Sequence, residues 1–369
     1  MPDSDVVHTG NLGMSRPIRI LSIDGGGIRG IIPGQLLYQL EQRLQHLTDN
    51  PEARIADCFD LIAGTSTGGI IACLLLCPHP QNRHQPRYSA RDVLSLYIDH
   101  GGEIFDIPLW HRIRSAGGTI DEKYPADGIE GALDKYLGDL WLSELVKSCL
   151  VTSYDIQRRQ AHFFTKHGAQ ANRARDFRVR DVARATSAAP TYFETAQVHS
   201  RSDVPYTLID GGVFANNPAL CAYAEVRAGF ARAHHIIPPA RASGMMILSL
   251  GTGRVDSPYS YEEAKDWGVI NWLRPLLDII MTGVSETVDY QLRQIYDAVG
   301  VPEQYLRIEP HIDTHTVNNS MDDATPENIA ALRDLGREVY KQHQEPLERF
   351  LDRLIKPLID DDQSLVSGD

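Results

Sequence analysis

At 369 residues, 42% hydrophobic and 23% charged, the chain can form one large domain or two smaller ones, with a core that needs no disulfide or metal staple. Its formal net charge of −13 argues against a nucleic-acid binder held by phosphate contacts, so no DNA partner is expected. The same charge argues against long-range attraction to anionic membranes, which leaves room only for a local basic patch.

Residues 1–16 read as a loose polar tail, with no basic-then-apolar profile of a signal peptide. Arg16–Asp24 reads as the first strand, and Asp24-Gly25-Gly26-Gly27-Ile28-Arg29-Gly30 follows it at once. Apolar residues at helical spacing then run from Ile31 to Leu44. Strand, glycine loop and helix in that order make an anion-binding turn. Gly25, Gly27 and Gly30 fit a dinucleotide fingerprint, but no acidic residue closes a second strand about 20 residues on. A Walker A loop fails for want of Gly-Lys-Ser/Thr. An oxyanion hole for acyl transfer is the third reading.

A second strand-to-helix turn supports that third reading. Phe59–Ala63 is a short apolar run of strand length, and Ile70–Leu76 reads as a buried helix. Between them, Gly64-Thr65-Ser66-Thr67-Gly68 has the G-x-S-x-G spacing of a nucleophile elbow. Both turns are expected at the carboxyl ends of parallel strands, on one edge of the sheet.

Residues 78–125 look irregular apart from a helix at Ala90–His100, and Trp110–Ser115 forms a basic-aromatic patch. Asp127–Leu137 predicts a helix, and Ser148–Tyr154 a buried strand with Gln160–Thr165 as its hairpin partner. Val179–Ala189 is a small-residue helix stopped by Pro190. Tyr206–Asp210 is a strand ending in an acid followed by Gly211 and Gly212, and a helix is expected over Ala219–His234. Met245–Leu250 is another apolar strand. Val269–Met281 suits a core helix, an interfacial helix or a lid, and Ser285–Ala298 continues as an amphipathic helix. Tyr305–Glu309 reads as a late strand, Thr325–Ile359 as one or two helices, and residues 360–369 as an acidic tail. No apolar run reaches the ~18–20 residues that span a bilayer. The five scattered cysteines predict buried reduced thiols in a cytoplasmic protein.

Ser66 needs a base. His311, His315 and His343 are the late histidines a Ser-His-Asp order would use, but none is framed by a strand end and a glycine turn. Asp210 is framed that way. A carboxylate within reach of the hydroxyl can act directly as base, provided that oxyanion stabilisation supplies the driving force its low pKa does not.

With these residues in place, the chain resembles the patatin-like phospholipase family. The resemblance rests on Asp24–Gly30, Gly64–Gly68 and Asp210–Gly212, supported by Thr186–Phe193 and Leu248–Gly253, and covers about residues 18–255. It implies an α/β fold of three layers, α/β/α, with a mostly parallel central sheet. It also implies a Ser66–Asp210 dyad with no histidine, no catalytic calcium and no cofactor. Gly26 and Gly27 would donate to the oxyanion and Arg29 would help to fix their loop. The implied activity is hydrolysis of membrane phospholipids by a phospholipase A route, at the inner membrane face. Residues 17–255 would be the catalytic domain, and residues 256–369 a mainly helical extension packed on it. The chain also looks like bacterial patatin-like antiphage effectors, which implies a cyclic dinucleotide activator and leaves an oligomer open. Two alternatives stand beside this: a non-catalytic lipid-binding or storage protein on the same fold, and a nucleotide-dependent oxidoreductase using Gly25–Gly30.

Overall fold

A computed structural model describes residues 16–105, 127–236, 240–255 and 259–366; the Trp110–Ser115 patch and almost all of the expected N-terminal tail lie outside them. Among these residues, eight strands form the main sheet. They are β1 (Ile18–Ile23), β2 (Leu61–Thr65), β3 (Ser148–Asp155), β4 (Gln160–Thr165), β5 (Ala196–His199), β6 (Pro205–Asp210), β7 (Met245–Leu250) and, after a short β8 (Arg254–Val255), β9 (Tyr305–Ile308). The order is β5-β6-β3-β2-β1-β7-β9, with β4 paired to β3. The β3-β2-β1-β7-β9 run is parallel, and β4, β5 and β6 join antiparallel. β8 pairs in parallel with β10 (His311–Ile312) as a separate ribbon.

The central strands are apolar on both faces, because successive side chains point to opposite sides and both sides are covered. Leu21, Ile23, Ile62, Val151, Leu248 and Leu250 pack beneath α1 (Ile31–Leu47), α2 (Thr67–Leu75) and α3 (Ala90–Phe105). Their neighbours Ile20, Leu61, Ala63, Leu150 and Ile247 face the other way. They meet a layer that the sequence supplies much later. α4 (Asp127–Leu137) and α5 (Val179–Thr186) belong to the first face, whereas α6 (Ala219–Glu225) and α7 (Val269–Ala298) cover the second through Ala222, Val288, Leu292 and Tyr296. Two more helices, α8 (Pro326–Gln342) and α9 (Gln344–Val366), return to the first face, where Leu332, Val339 and Leu351 are buried. The result is the three-layer α/β/α arrangement around a mostly parallel sheet.

One detail of the pairing positions the site. β2 runs along β3 as far as Thr65 opposite Thr152, and stops. β6 comes from the opposite direction and ends with Asp210 opposite Ser153. β4 occupies the other edge of β3 over this stretch. Thus β2 and β6 share one edge of β3 and meet head to head, so the residues following Thr65 face the end of β6.

Several elements differ from the sequence expectation. α2 begins at Thr67, directly after Ser66, so the glycines Gly68 and Gly69 lie inside the helix. The helix expected over Ala219–His234 widens into a π turn at Val226–Phe230, which keeps both Val226 and Phe230 buried against the sheet. β5 is four residues long, too short to announce itself. Val269–Ala298 is one continuous helix of 30 residues, although Pro275 lacks the N–H its turn would use. Its C-terminal half is anchored in the core, which carries the helix past Pro275 and Gly283. No helix among the described residues is long and apolar enough to cross a membrane.

Candidate active site

Ser66 sits at the single residue between β2 and α2. Its backbone has φ 54° and ψ −124°, a left-handed conformation that strains a non-glycine residue. The turn is possible only because its neighbours lack side chains. A Cβ on Gly64 would lie 2.2 Å from the Gly68 carbonyl oxygen, and one on Gly68 would lie 2.1 Å from that of Ile23. The Ser66 N–H donates to Thr186 Oγ1 at 2.9 Å, and Thr186 donates in turn to the Thr152 carbonyl at 2.7 Å. Thr67 Oγ1 lies 2.6 Å from the Tyr97 hydroxyl and packs against Gly30.

Asp210 arrives at the end of β6. Its N–H donates to the Ala188 carbonyl at 3.0 Å, and its Oδ1 accepts from the Gly212 N–H at 2.7 Å. Gly211 is pressed against Thr152, where a Cβ would come within 2.1 Å of Oγ1. Burial pushes the Asp210 carboxyl up, the Ser66 hydroxyl and the Gly212 N–H oppose it, and the net is a rise from its ordinary 3.8 to about 6. The carboxyl is thus held above its ordinary range, with Ser66 among the groups that act on it.

The glycine loop closes the third side. A Cβ on Gly25 would stand 3.1 Å from the Ser66 Cβ. The Gly25 N–H is taken by the Asn216 carbonyl at 3.2 Å, whereas those of Gly26 and Gly27 meet no protein acceptor among the described residues. Gly27 has φ 59° and lies against the Met321 carbonyl, which accepts from the Ile28 N–H at 2.9 Å. Arg29 is buried, with Nε on the Gly26 carbonyl at 3.4 Å and Nη1 on the Gly253 carbonyl at 3.3 Å.

Ser66, Asp210 and Gly27 open into one cavity of about 340 Å³. Its walls are mostly apolar: Pro190, Tyr192 and Phe193 on one side, and Pro275, Ile280 and Met281 of α7 on the other. No histidine among the described residues lines it, and His311 and His315 lie in the stretch from β10 onward. The structure therefore gathers the elbow, the Asp210 turn and the glycine loop at one point.

Sequence reasoning passed over a second group behind the loop. Arg307 of β9 is buried and grips Asp24 with both Nη atoms, at 2.8 and 2.6 Å. It also contacts Glu309. Burial opposes the Arg307 charge, but Asp24 and Glu309 outweigh it and push its pKa up. Ser285 of α7 donates to Asp24 at 3.5 Å, and Thr252 Oγ1 donates to the Gly25 carbonyl at 2.6 Å. Thr252 was marked in the sequence only as part of Leu248–Gly253, one of the stretches that support the family resemblance, and Arg307 carried no site signal.

The family model for patatin-like phospholipases matches residues 21–223, more than half of the chain. Patatin-like protein 3 of Arabidopsis thaliana is 34% identical over 352 residues, spanning 88% of this chain and 81% of the relative. A protein of Solanum tuberosum named probable inactive patatin-3-Kuras 1 is 32% identical over 358 residues and spans 93% of each. Among solved structures, VipD from Legionella pneumophila is 10% identical over 89% of this chain and 67% of that one, with a TM-score of 0.39 too low to add to the fold argument. The chain belongs to the patatin-like phospholipase family.

Proposed function

We propose that the protein hydrolyses fatty acyl esters of membrane phospholipids, with Ser66 as nucleophile and Asp210 as its base. The observation that carries this is that Ser66 and the buried Asp210 line one mostly apolar cavity, with no cation beside Asp210 and two backbone donors without an acceptor among the described residues. Asp210 accepts the Ser66 proton as Oγ attacks the ester carbonyl. The oxyanion forms against the N–H groups of Gly26 and Gly27. When the tetrahedral centre collapses, the alkoxide of the lysolipid takes the proton from Asp210 and leaves. Water then gives a proton to Asp210, attacks the acyl-serine and releases the fatty acid, and the proton returns to Ser66. No metal or cofactor enters these steps.

α7 supports a lipid surface as the source of substrate. Its inner face walls the cavity, and its outer face exposes Val269, Trp272, Leu276 and Ile279 at helical spacing. Trp267 and Trp272 rings pack edge to face at 5.0 Å beside them. An amphipathic aromatic rim of this kind suits peripheral contact with a bilayer, next to the mouth through which one acyl chain would enter. The proposal includes action at a membrane face from the cytoplasmic side.

Fatty-acid release from phosphatidylcholine vesicles, with and without cyclic dinucleotides, tests the reading against Ser66→Ala. Activation by such a nucleotide is part of the proposal, resting on the effector-like sequence. Release by wild type that Ser66→Ala abolishes is expected; equal release by both would remove the dyad. A fluorophosphonate that leaves Ser66 unlabelled with every nucleotide present would favour the non-catalytic lipid-binding or storage alternative; the Solanum tuberosum relative's name, probable inactive, is a precedent for the loss of catalysis alone.

A further inference from the structure

An oxyanion hole made of backbone depends on aim. A peptide unit is planar and trans, so its N–H points opposite to its C=O. The Gly26 N–H therefore shares a plane with the Gly25 carbonyl, and the Gly27 N–H with the Gly26 carbonyl. Whatever grips those two carbonyls from behind sets the direction of the two donors in front. Thr252 Oγ1 grips the first at 2.6 Å, and Arg29 grips the second through Nε at 3.4 Å.

These grips are tied to residues far along the chain and outside the matched span of 21–223. Strand order brings them close. Ser22 of β1, Ser249 of β7 and Arg307 of β9 lie in one row across the sheet. The two small serines leave room for the Arg307 side chain to cross β7, donating to Ser249 Oγ at 2.8 Å on its way to Asp24. Asp24 is the first residue of the glycine loop, and its own N–H is held by the Leu250 carbonyl at 3.0 Å. Arg307 also contacts Glu309, whose Oε1 accepts from the Gly253 N–H at 3.2 Å, and the Gly253 carbonyl accepts from Arg29. The contacts close a ring: Asp24, Arg307, Glu309, Gly253, Arg29, Gly26. Every member is an ionic or backbone group, and the ring fastens the loop at both ends of the donor pair.

We infer that Thr252 and Arg307 are positioning residues for the reaction: Thr252 aims the Gly26 donor directly, and Arg307 holds the loop through Asp24 and Glu309. This rests on the ester-hydrolase reading above, because a misaimed donor matters only if an oxyanion forms there. Neither side chain is among those lining the cavity with Ser66. Both should leave substrate affinity alone and act on the transition state.

The experiment compares wild type, Thr252→Val, Thr252→Ser, Arg307→Gln and Arg307→Lys in two readouts. The first is hydrolysis of a soluble 4-nitrophenyl ester, with kcat and KM separated. Thr252→Val keeps the shape and removes the donor, so kcat should fall about tenfold, a fraction of the ~10²–10³ lost when an oxyanion donor is deleted outright. KM should stay within about twofold of wild type, and Thr252→Ser should restore kcat. Arg307→Gln should lower kcat further, with Arg307→Lys intermediate because it keeps charge without the fork. The second readout is backbone hydrogen exchange over residues 24–30. It should quicken about tenfold in Thr252→Val and Arg307→Gln, the loss of roughly one hydrogen bond's worth of protection, while β3 stays protected. Unchanged exchange in both variants overturns the clamp, as does an unchanged kcat or a loss confined to KM. If the wild type cleaves no ester, the hydrolase reading fails by itself, and the exchange arm still decides whether these residues hold the loop.

Discussion

The chain contains two Asp-Gly-Gly turns, each at the end of a sheet strand, and they are put to opposite uses. Asp24 and Asp210 are both buried, at 2% and 3% exposure. Asp24 is matched by a guanidinium with two hydrogen bonds and by a hydroxyl from α7. Asp210 meets no cation among the described residues; burial raises its pKa, and the Ser66 hydroxyl and one backbone N–H only partly oppose that. A buried acid fixed by a guanidinium becomes part of the frame, and one without such a partner suits the role of base proposed above. The partner, supplied from β9, makes the difference, because the local sequence is nearly the same.

The sharpest way to break this comparison is to remove the unpaired acid's charge. Asp210→Asn should lower kcat/KM by ~10²–10⁴-fold, the usual span for a general base, measured on phospholipid vesicles. Retention of more than a tenth of the rate would assign the proton transfer elsewhere.

Next in size is the paired acid. Arg307→Met strands Asp24 as a buried charge, which typically costs about 3–5 kcal/mol. Urea unfolding should show that loss, and adding Asp24→Asn in the same chain should recover part of it. A double variant as unstable as Arg307→Met alone would mean that packing matters more than charge.

Stability and activity should part company at Asp210. Its folded pKa of about 6 lies above the ordinary 3.8, so its contribution to stability is fully present below pH 3.8 and lost as the pH rises through 6. Asp210→Asn escapes that penalty. It should be more stable than wild type by about 3 kcal/mol at pH 8 and by almost nothing at pH 3.5, on the scale of 1.36 kcal/mol per pKa unit. By the same titration, kcat/KM of the wild type should rise with pH through about 6. A flat profile between pH 5 and 7 would contradict the assignment of Asp210 as base.

The smallest expected effect lies on the outer face of α7. Trp272→Ser with Leu276→Ser should weaken vesicle binding in a flotation assay several-fold, the loss of two partly buried apolar groups. Hydrolysis of a soluble ester should be unaffected. Equal losses on both substrates would move α7 from membrane contact to cavity wall alone.

The parts of the site that were legible in the sequence share one property: each is written within a few residues. A strand-length apolar run, glycines around Ser66 and an apolar helix after it can be read in 18 residues, and so can Asp210 with its two glycines. The central strands were legible because burial on both faces leaves continuous apolar runs. What could not be read depends on strand order. Asp24 and Arg307 are 283 residues apart and meet because β7 alone separates β1 from β9. Nor could periodicity reveal that β6 runs antiparallel into the space β2 vacates, or that α7 is continuous through Pro275. The π turn in the helix after Asn217 was hidden because an apolar stripe looks the same whether the turn is α or π.

The head-to-head meeting of β2 and β6 turns β3 into a ruler. Thr65, the residue before the proposed nucleophile, is paired to Thr152, and Asp210, the proposed base, to Ser153, so the ends of β2 and β6 are set one residue apart on β3, a rise of about 3.3 Å. Ser153 Oγ adds to this by donating to the Ile209 carbonyl at 2.6 Å. Tolerance at the proposed reacting pair is therefore inherited from a strand that contributes neither of its two side chains. A bulge between Thr152 and Ser153 would pull the pair apart by one unit of that ruler, while an extra residue in the exposed β3–β4 turn would leave its graduation untouched.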